Sequence, residues 1–470
     1  MNGGLDDGYE AVIGLEIHVQ LRTQTKMFCG CELSFGDEAN VHTCEVCLAH
    51  PGSLPVVNEQ AILYGIQIGL ALGCEIAPRS IFHRKNYFYP DNPKAYQISQ
   101  YDIPLASGGH LGDIRIHRVH LEEDAAKLVH VGESGRIHGS GSSLVDFNRG
   151  GTPLVEIVTE PDVRSGAEAR EWLQLLRATI KAIGASDVNM DEGSLRCDAN
   201  VSIRPTGTEE LGTKTELKNM NSFRFIERGI DAELARQRDL VERGGAVTQE
   251  TLHFDPRSGS ITSLRSKEEA HDYRYFPEPD LVPLAPTDEM LAGARAALPE
   301  LPAEREARYI SELRLPDAHA RQLARDPGLG DFFEAVMGVG SATAGAVANW
   351  VTGEAAARKA EPAALASLVA MVEAGKVTNQ AAKKVLATLA EDGGDPAAII
   401  EREGLGAMED AGELSGIVDR ALEAHPDEAA KVREGAMQAI GPIIGFVMRE
   451  TKGRADGREV TRLVREKLGL

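Results

Sequence analysis

Two textures divide this chain and predict an α+β fold: an antiparallel sheet with inserted helices, followed by an all-helical region. Up to about residue 290, short stretches alternate apolar and polar residues at every second position, with Gly, Pro and Asn between them, which is the period of strands. Beyond it the chain turns alanine-rich, with helical spacing and Gly or Pro at the breaks. Its 470 residues suggest about three domains and give ample length for a buried core.

The first strand is Gly14 to Arg22, which sets Leu15, Ile17, Val19 and Leu21 against Glu16, His18, Gln20 and Arg22. Leu195 to Arg204 repeats the pattern, with Leu195, Cys197, Ala199, Val201 and Ile203 on one face and Arg196, Asp198, Asn200, Ser202 and Arg204 on the other. Helices are predicted over 166–183 and about 222–243. In the second region a charged helix runs from Leu301-Pro302 through Leu313, where Leu315-Pro316 ends it. Helical patterns follow at about 329–337, 342–359, 362–374, 378–391, 396–403, 412–424, 426–437, 439–451 and 457–468. Gly375, Gly393-Gly394 and Gly453 read as stops or hinges, so a small bundle divided near Gly393 is expected.

A net charge of −22 argues against nonspecific nucleic-acid binding, because phosphate contacts require Lys and Arg. Between Arg449 and Lys467, however, seven basic residues face four acidic ones. Such a patch suits either local contact with a nucleic acid or a solvated helix face. No apolar run approaches the roughly 20 residues of a membrane span. The start MNGGLDDGYE lacks a basic-then-apolar signal segment, so the chain is read as cytoplasmic, with no membrane partner.

Chemistry is concentrated in a few places. Glu16 and His18, two apart on a strand, share a face, which is either half of a metal site or a solvent face. His120-Leu121-Glu122-Glu123-Asp124 forms a second acidic cluster. Glu156 interrupts the otherwise apolar run 153–158, where an unpaired buried carboxylate is costly and a cation is a natural solution. Carboxylate oxygens with a single imidazole suit magnesium or manganese better than zinc, and magnesium usually accompanies phosphates. Cys29-x-Cys31 and Cys44-x-x-Cys47, twelve residues apart, fit a tetrahedral structural zinc site, with buried free thiols as the alternative.

No G-x-x-x-x-G-K-[ST] loop is present, so phosphate binding falls to cations on polar strand faces. Lys85, Lys214 and Arg196 are the candidates, beside Lys127 and Lys218. The sequence offers no nucleophile arrangement for amide hydrolysis. The most unusual segment is Lys85 to Asp102, KNYFYPDNPKAYQISQYD, with five aromatics, two prolines and two lysines. Pro90 and Asp91-Asn92-Pro93 fix its turns, and its rings and cations suit the wall of a site for an anionic ligand.

These stretches together closely resemble the B-subunit family of the bacterial aspartyl/glutamyl-tRNA(Asn/Gln) amidotransferases. The resemblance is carried by VIGLEIHVQL from Val12, HRKNYFYPDNPKAYQISQYD from His83, HLEEDAAK from His120, and DFNRGGTPLVEIVTEPD from Asp146. DEGSLRCDANVSIRP from Asp191, ELKNMNSF from Glu216 and DYRYFPEPDL from Asp272 continue it. AKKVL from Ala382 and KGRADGREV from Lys452 are similar to the helical tail shared with the YqeY-type domain. The family implies a catalytic cradle domain over 1–292, a helical domain over 293–400 and a tRNA-binding helical tail over 401–470. Within this plan 293–328 is a linker helix region, and the YqeY-like part begins at about 330.

The resemblance also implies a reaction. ATP phosphorylates the side-chain carboxylate of Glu-tRNA(Gln) or Asp-tRNA(Asn). Ammonia from glutamine, hydrolysed on a partner amidase (the A subunit), then displaces the phosphate. The heterotrimer is completed by a small C subunit. His18, Glu123 and Glu156, with Glu16 added, resemble the magnesium ligands, and Glu123, Lys85 and Asp198 are implied at the catalytic site and channel mouth. Cys29, Cys31, Cys44 and Cys47 match the zinc-binding version of the family. The Gly- and Ser-containing stretch Glu133 to Ser143 is longer than in some relatives and has no assigned role. A noncatalytic tRNA-binding scaffold and a stand-alone zinc hydrolase are the competing functions.

Overall fold

The computed structural model describes residues 8–131, 140–218, 220–266, 273–408 and 410–470. Residues 133–139 of the Gly- and Ser-containing stretch and Asp272 lie outside them. The chain divides into two compact units, Met1–Ala303 and Glu304–Leu470.

The first unit is built on strands β1 (Tyr9–Gln20), β2 (Glu75–Ile76), β3 (His83–Asn86), β4 (Tyr96–Ser99), β5 (Ala106–Leu111), β6 (Ile114–Glu123) and β7 (Lys127–Val131). The series continues with β8 (Ser142–Asp146), β9 (Pro153–Thr159), β10 (Leu195–Pro205), β11 (Thr215–Lys218), β12 (Glu250–Asp255), β13 (Ser260–Ser266) and β14 (Phe276–Pro277). Nine of them form one sheet in the order β13-β12-β11-β10-β1-β9-β6-β5-β2, while β14-β3-β4 and β7-β8 form two small sheets.

The large sheet is antiparallel, as its alternating pattern predicts, except where β11 lies parallel to β12. The chain between those two strands is a long helix, the connection a parallel pair needs. Among the unit's described residues the helices are α1 (Glu59–Ala71), α2 (Gly166–Ile183), α3 (Phe223–Glu242) and α4 (Asp288–Ala296). The predicted helix 166–183 is reproduced in full: Ser165 caps its first turn and Gly184 closes it in the left-handed conformation.

One face of the sheet is core. Leu15, Ile17 and Val19 of β1, Val155 and Ile157 of β9, and Leu121 of β6 join Ile66 of α1, Trp172 and Leu176 of α2, and Ile230 of α3 in one buried cluster. The helices cover this face because alternation leaves every second residue apolar on the same side. Gly109 of β5 shows how tightly the layers meet. A Cβ there would lie 2.2 Å from the Leu72 carbonyl oxygen and 2.7 Å from the Cys74 nitrogen. Backbone cannot yield as a flexible side chain can, so Gly109→Ala is expected to destabilise the unit by about 2–3 kcal/mol, read as a lower melting temperature.

The second unit is helical throughout its described residues: α5 (Pro302–Ser311, which begins at the boundary), α6 (Asp317–Arg325), α7 (Pro327–Val339), α8 (Ala344–Gly353), α9 (Pro362–Glu373), α10 (Asn379–Asp392) and α11 (Pro396–Glu403) come first. The chain ends with α12 (Ala411–Ala424), α13 (Pro426–Arg433), α14 (Gly441–Glu450) and α15 (Gly457–Leu468). Two cores occupy this unit: one reaches from Tyr309 to Leu405, and the other begins at Leu414. The division expected near Gly393 therefore falls later. Ile399 and Leu405 bury against the earlier helices, so α11 belongs with the first core although two glycines precede it. Ala407 N donates to Lys376 O (2.9 Å) and Met408 N to Arg454 O (3.1 Å), tying the connecting segment to both parts. No helix among the described residues is long and apolar enough to cross a membrane.

Candidate active site

The opposite face of the same strands is polar, and register turns it into a site. His18 on β1 stands opposite Arg196 of β10 on one side and Glu156 of β9 on the other, and Glu156 in turn stands opposite His120 of β6. Four strands thus place Arg196, His18, Glu156 and His120 in one row. Two residues along each strand, Glu16 and Glu122 extend the group on the same face. Glu156 accordingly does not break the core. It is 5% exposed and held between two imidazoles, with His18 Nε2 and His120 Nε2 each 3.3 Å from Oε2. His18 Nε2 also lies 3.6 Å from Glu122 Oε1 and 3.9 Å from Glu16 Oε1.

Electrostatics follow from this crowding. Burial alone would lower the His120 pKa, but Glu156 and Glu122 override it and push it up to about 9. His18 is raised against the same effect of burial, chiefly by its bond to Glu156. Burial opposes ionisation of Glu156, yet His120 and His18 hold its carboxyl well below the usual range. Glu16 moves the other way, raised by burial and by Glu156. Two sets, Glu16–His18–Glu156 and His120–Glu122–Glu156, each bring their ligand atoms within 4.8 Å of one another. His120 Nδ1 is buried with no partner among the described residues, so only Nε2 engages the carboxylates. The donor set of carboxylate oxygens and imidazoles fits a divalent cation.

A cavity of about 220 Å³ opens beside this row, lined by His18, Lys85, Asp91, Lys94, Glu122 and Arg196 among others. Lys85 comes from the small β14-β3-β4 sheet, its Nζ 4.8 Å from the Tyr273 ring centroid. Burial disfavours its charge, but Glu122 and Glu156 more than offset this and hold the ammonium above its usual range. Arg196 donates to Asp124 Oδ2 (2.8 Å), which also accepts from Gln20 Nε2 (2.8 Å). Burial opposes the charge of Asp124, and Arg196 and Arg149 restore it, lowering its pKa. Asp198 faces Glu16 across the strands and binds Lys218 Nζ at 2.9 Å.

The structure does not gather every expected residue. Glu123 stays out of the histidine–carboxylate group: its Oε1 pairs with Lys94 Nζ and accepts from the Ile98 amide (3.0 Å). Glu122 and Glu123 both line the cavity, at the end of β6, but it is Glu122 that approaches His18, His120 and Glu156. Lys214 lies exposed just before β11 and does not line the cavity. His120 and Glu122 had no role assigned from sequence. The His-x-Glu spacing that repeats Glu16-x-His18 was the signal for them.

The four cysteines form a second centre in the loop between β1 and α1. Their sulfurs lie within 4.8 Å of one another, close to the roughly 3.8 Å edge of a tetrahedron with 2.3 Å metal–sulfur bonds. None is in a disulfide. Cys44 N donates to Cys47 Sγ (3.1 Å), and Lys26, 0% exposed, places Nζ 3.7 Å from the same sulfur while donating to Phe147 O (3.0 Å). A bond from Cys29, the Cys44 amide and the Lys26 charge outweigh burial and bring the Cys47 thiol down to about 4. Burial pushes Cys31 up to about 11, and Cys29 rises mainly because it shares a proton with Cys47. This arrangement of sulfurs can hold a metal ion. Cys47 also lines the cavity described above, so the two centres share a wall.

Residues 11–292 match the model of the GatB/GatE catalytic domain, and residues 331–468 match that of the GatB domain. The chain belongs to this family. Among its relatives is the B subunit of the aspartyl/glutamyl-tRNA(Asn/Gln) amidotransferase of Anaeromyxobacter dehalogenans, 47% identical over 483 residues that cover 98% of this chain and 99% of the relative. The proteins of the same description from Geobacter sulfurreducens and Persephonella marina are 46% and 44% identical, each over 98% of this chain and 99% of its own length. The histidine–carboxylate row and the cysteine centre both lie inside the GatB/GatE catalytic match.

Proposed function

We propose that this chain is the B subunit of a tRNA-dependent amidotransferase. It uses ATP to phosphorylate the side-chain carboxylate of Glu-tRNA(Gln), Asp-tRNA(Asn) or both. Ammonia from glutamine, hydrolysed on the amidase (the A subunit), then converts the activated carboxyl to the amide, and the complex is completed by a small C subunit. The observation that carries this reading is the Glu16–His18–Glu156–His120–Glu122 group beside Lys85, in a chain that aligns with amidotransferase B subunits along nearly its whole length.

A carboxylate is a poor acyl donor, and phosphoryl transfer asks the protein mainly for charge neutralisation and alignment. Glu16, His18 and Glu156 hold Mg²⁺, with Glu122 and His120 completing the group. When bound, the ion neutralises negative charge on the transferring phosphoryl group. Lys85 and Arg196 face the cavity as cations for phosphate oxygens. Asp198 fixes Lys218 next to Glu16, and Glu123 holds Lys94 at the cavity wall. Cys29, Cys31, Cys44 and Cys47 hold a structural Zn²⁺. Residues 1–292 act as the catalytic cradle, 293–400 as a helical domain and 401–470 as the tRNA-binding tail of a cytoplasmic enzyme.

The complex assembled with its A and C subunits tests the reading directly. Given each misacylated tRNA and glutamine, amide formation should require ATP and release one ADP per amide. Amidation at full rate without ATP would return the chain to a scaffold role.

The tail makes a separate prediction. Arg462 pairs with Glu459 and Glu466, and Lys467 pairs with Asp419, whereas Arg449, Arg458 and Arg465 have no ion-pair partner among the described residues. Replacing those three with Ala is expected to weaken tRNA binding about tenfold or more at moderate salt. It should also flatten the dependence of log affinity on log salt by about one for each phosphate interaction removed. An unchanged salt slope in a binding titration would remove the tail from the tRNA interface.

A further inference from the structure

The cavity contains one carboxylate that the chemistry above does not use. Asp91 lines it, and Asp91 Oδ1 is buried with no hydrogen-bond partner among the described residues. The neighbouring carboxylates are engaged: Glu123 with Lys94 and the Ile98 amide, Asp124 with Arg196 and Gln20, and Glu122 with the histidines and Ser99 Oγ (3.1 Å).

The loop gives Asp91 little freedom to find a partner. Ala126 N donates to its carbonyl oxygen (2.9 Å), Asn92 N to Tyr89 O (3.0 Å), Asn92 Nδ2 to Tyr87 O (3.2 Å), and Ala95 N to Asn92 O (3.0 Å). The turn expected from Asp91-Asn92-Pro93 is therefore built, and it places at the cavity wall a carboxyl group with one oxygen sealed from solvent and without a hydrogen-bond donor. A buried acceptor without a donor costs free energy, so a fold that retains one has a site for a proton or a donor ligand. The charged and titratable groups around it are Tyr87, Asp124 and Arg149, with Lys94 on the same loop. Burial, with a smaller push from Asp124, raises the Asp91 carboxyl above its ordinary value, against the pull of its own backbone amide and of Arg149.

We propose that Asp91 is the general base of the amidation half-reaction, accepting a proton from the ammonia nitrogen as it attacks the activated carboxyl. The inference rests on the cavity being the amidation site. As the nitrogen lone pair forms the C–N bond, the nitrogen becomes positively charged and a poor partner for phosphate departure. Asp91 removes one N–H proton, the carbonyl re-forms, and the C–O bond to phosphate breaks with its electron pair on the phosphate oxygen. The proton then passes from Asp91 to that phosphate. Ammonia and the acyl phosphate have become the amide and hydrogen phosphate, with no atom or charge left over.

The test compares two nucleophiles on the assembled complex, with ATP and misacylated tRNA present. Ammonium chloride requires the base. Hydroxylamine is far less basic, so its adduct sheds a proton to water unaided and reports the acyl phosphate as hydroxamate. In Asp91→Asn, amide formation from ammonium should fall about 100-fold, a typical loss for one general base. ADP release and hydroxamate formation should stay within about threefold of wild type, the scale of a mere perturbation. Asp91→Glu, which keeps a carboxylate, should recover at least about tenfold of the lost amidation.

Wild-type amidation by Asp91→Asn would overturn the proposal. So would equal loss of amide, ADP and hydroxamate, or an Asp91→Glu complex no better than Asp91→Asn. A wild-type complex that yields neither ADP nor hydroxamate refutes instead the reading of the cavity as the amidation site.

Discussion

Glu156→Ala is expected to lower ATP-dependent amidation by the assembled complex about 10³-fold, the scale of losing a central electrostatic group from a phosphoryl-transfer site. Glu156 is the one residue common to both potential ligand sets, and it touches both imidazoles. Its removal leaves His18 and His120 buried without the carboxylate that favours their charge. Without metal, His120 is charged at neutral pH because its pKa is raised in the fold to about 9. That stabilisation is fully present below its unfolded value near 6.5 and disappears as pH rises through about 9. In the alanine variant this alkaline loss of stability should largely vanish, because its main cause is gone. ADP release and amide yield measure the chemical effect, and glutamine hydrolysis by the A subunit reports that the complex has assembled. A variant retaining a third or more of wild-type amidation would place phosphorylation elsewhere.

Local pattern carried much of this molecule. α2 and α3 were legible because their apolar stripes repeat at helical spacing and Ser165 and Ser222 stand at their starts. α1 was not, because EQAILYGIQIGLA is apolar on nearly all sides and has no stripe to read. α6 was missed for a different reason: it is short and begins at Pro316 with no side-chain cap. In the site, Glu16 and His18 could be read together because two residues of one strand fix their own relation. The partnership of His18 with Glu156, and of Glu156 with His120, depends on strand order β10-β1-β9-β6 and on register. Neither is encoded within any one segment. Glu123 was expected as a ligand from the family resemblance, whereas the packing of the strands groups Glu122 with His120 and Glu156. The cysteine centre was visible from spacing alone, whereas Lys26 beneath it was not, since nothing near position 26 announces a buried ammonium.

Zinc uptake by the cysteine centre is expected to be steeply proton-linked, with apparent affinity falling about 100-fold for each pH unit between 8 and 6. Without metal, Cys47 is the thiolate, stabilised by Cys29, the Cys44 amide and Lys26. Cys29 and Cys31 remain protonated at neutral pH, so closing a four-sulfur shell releases at least their two protons. Each proton released contributes a tenfold change per pH unit, and the sign is fixed because acid competes with the metal for sulfur. Chelator competition at three pH values, with proton release followed in weakly buffered solution, measures the slope. A slope below one proton would mean that the thiols are already ionised and that the metal-free arrangement is wrong. Cys47→Ser should retain roughly a tenth or less of the wild-type zinc after dialysis, because it removes both a ligand and the thiolate that starts assembly. Lys26→Met is the sharper variant. It preserves all four sulfurs and most of the buried volume, yet removes the cation next to an anionic shell. If charge, not packing, sets the role of Lys26, zinc affinity should fall in Lys26→Met while the melting temperature of the zinc-free protein holds or rises. The same variant should then impair amidation through the wall that Cys47 shares with the cavity.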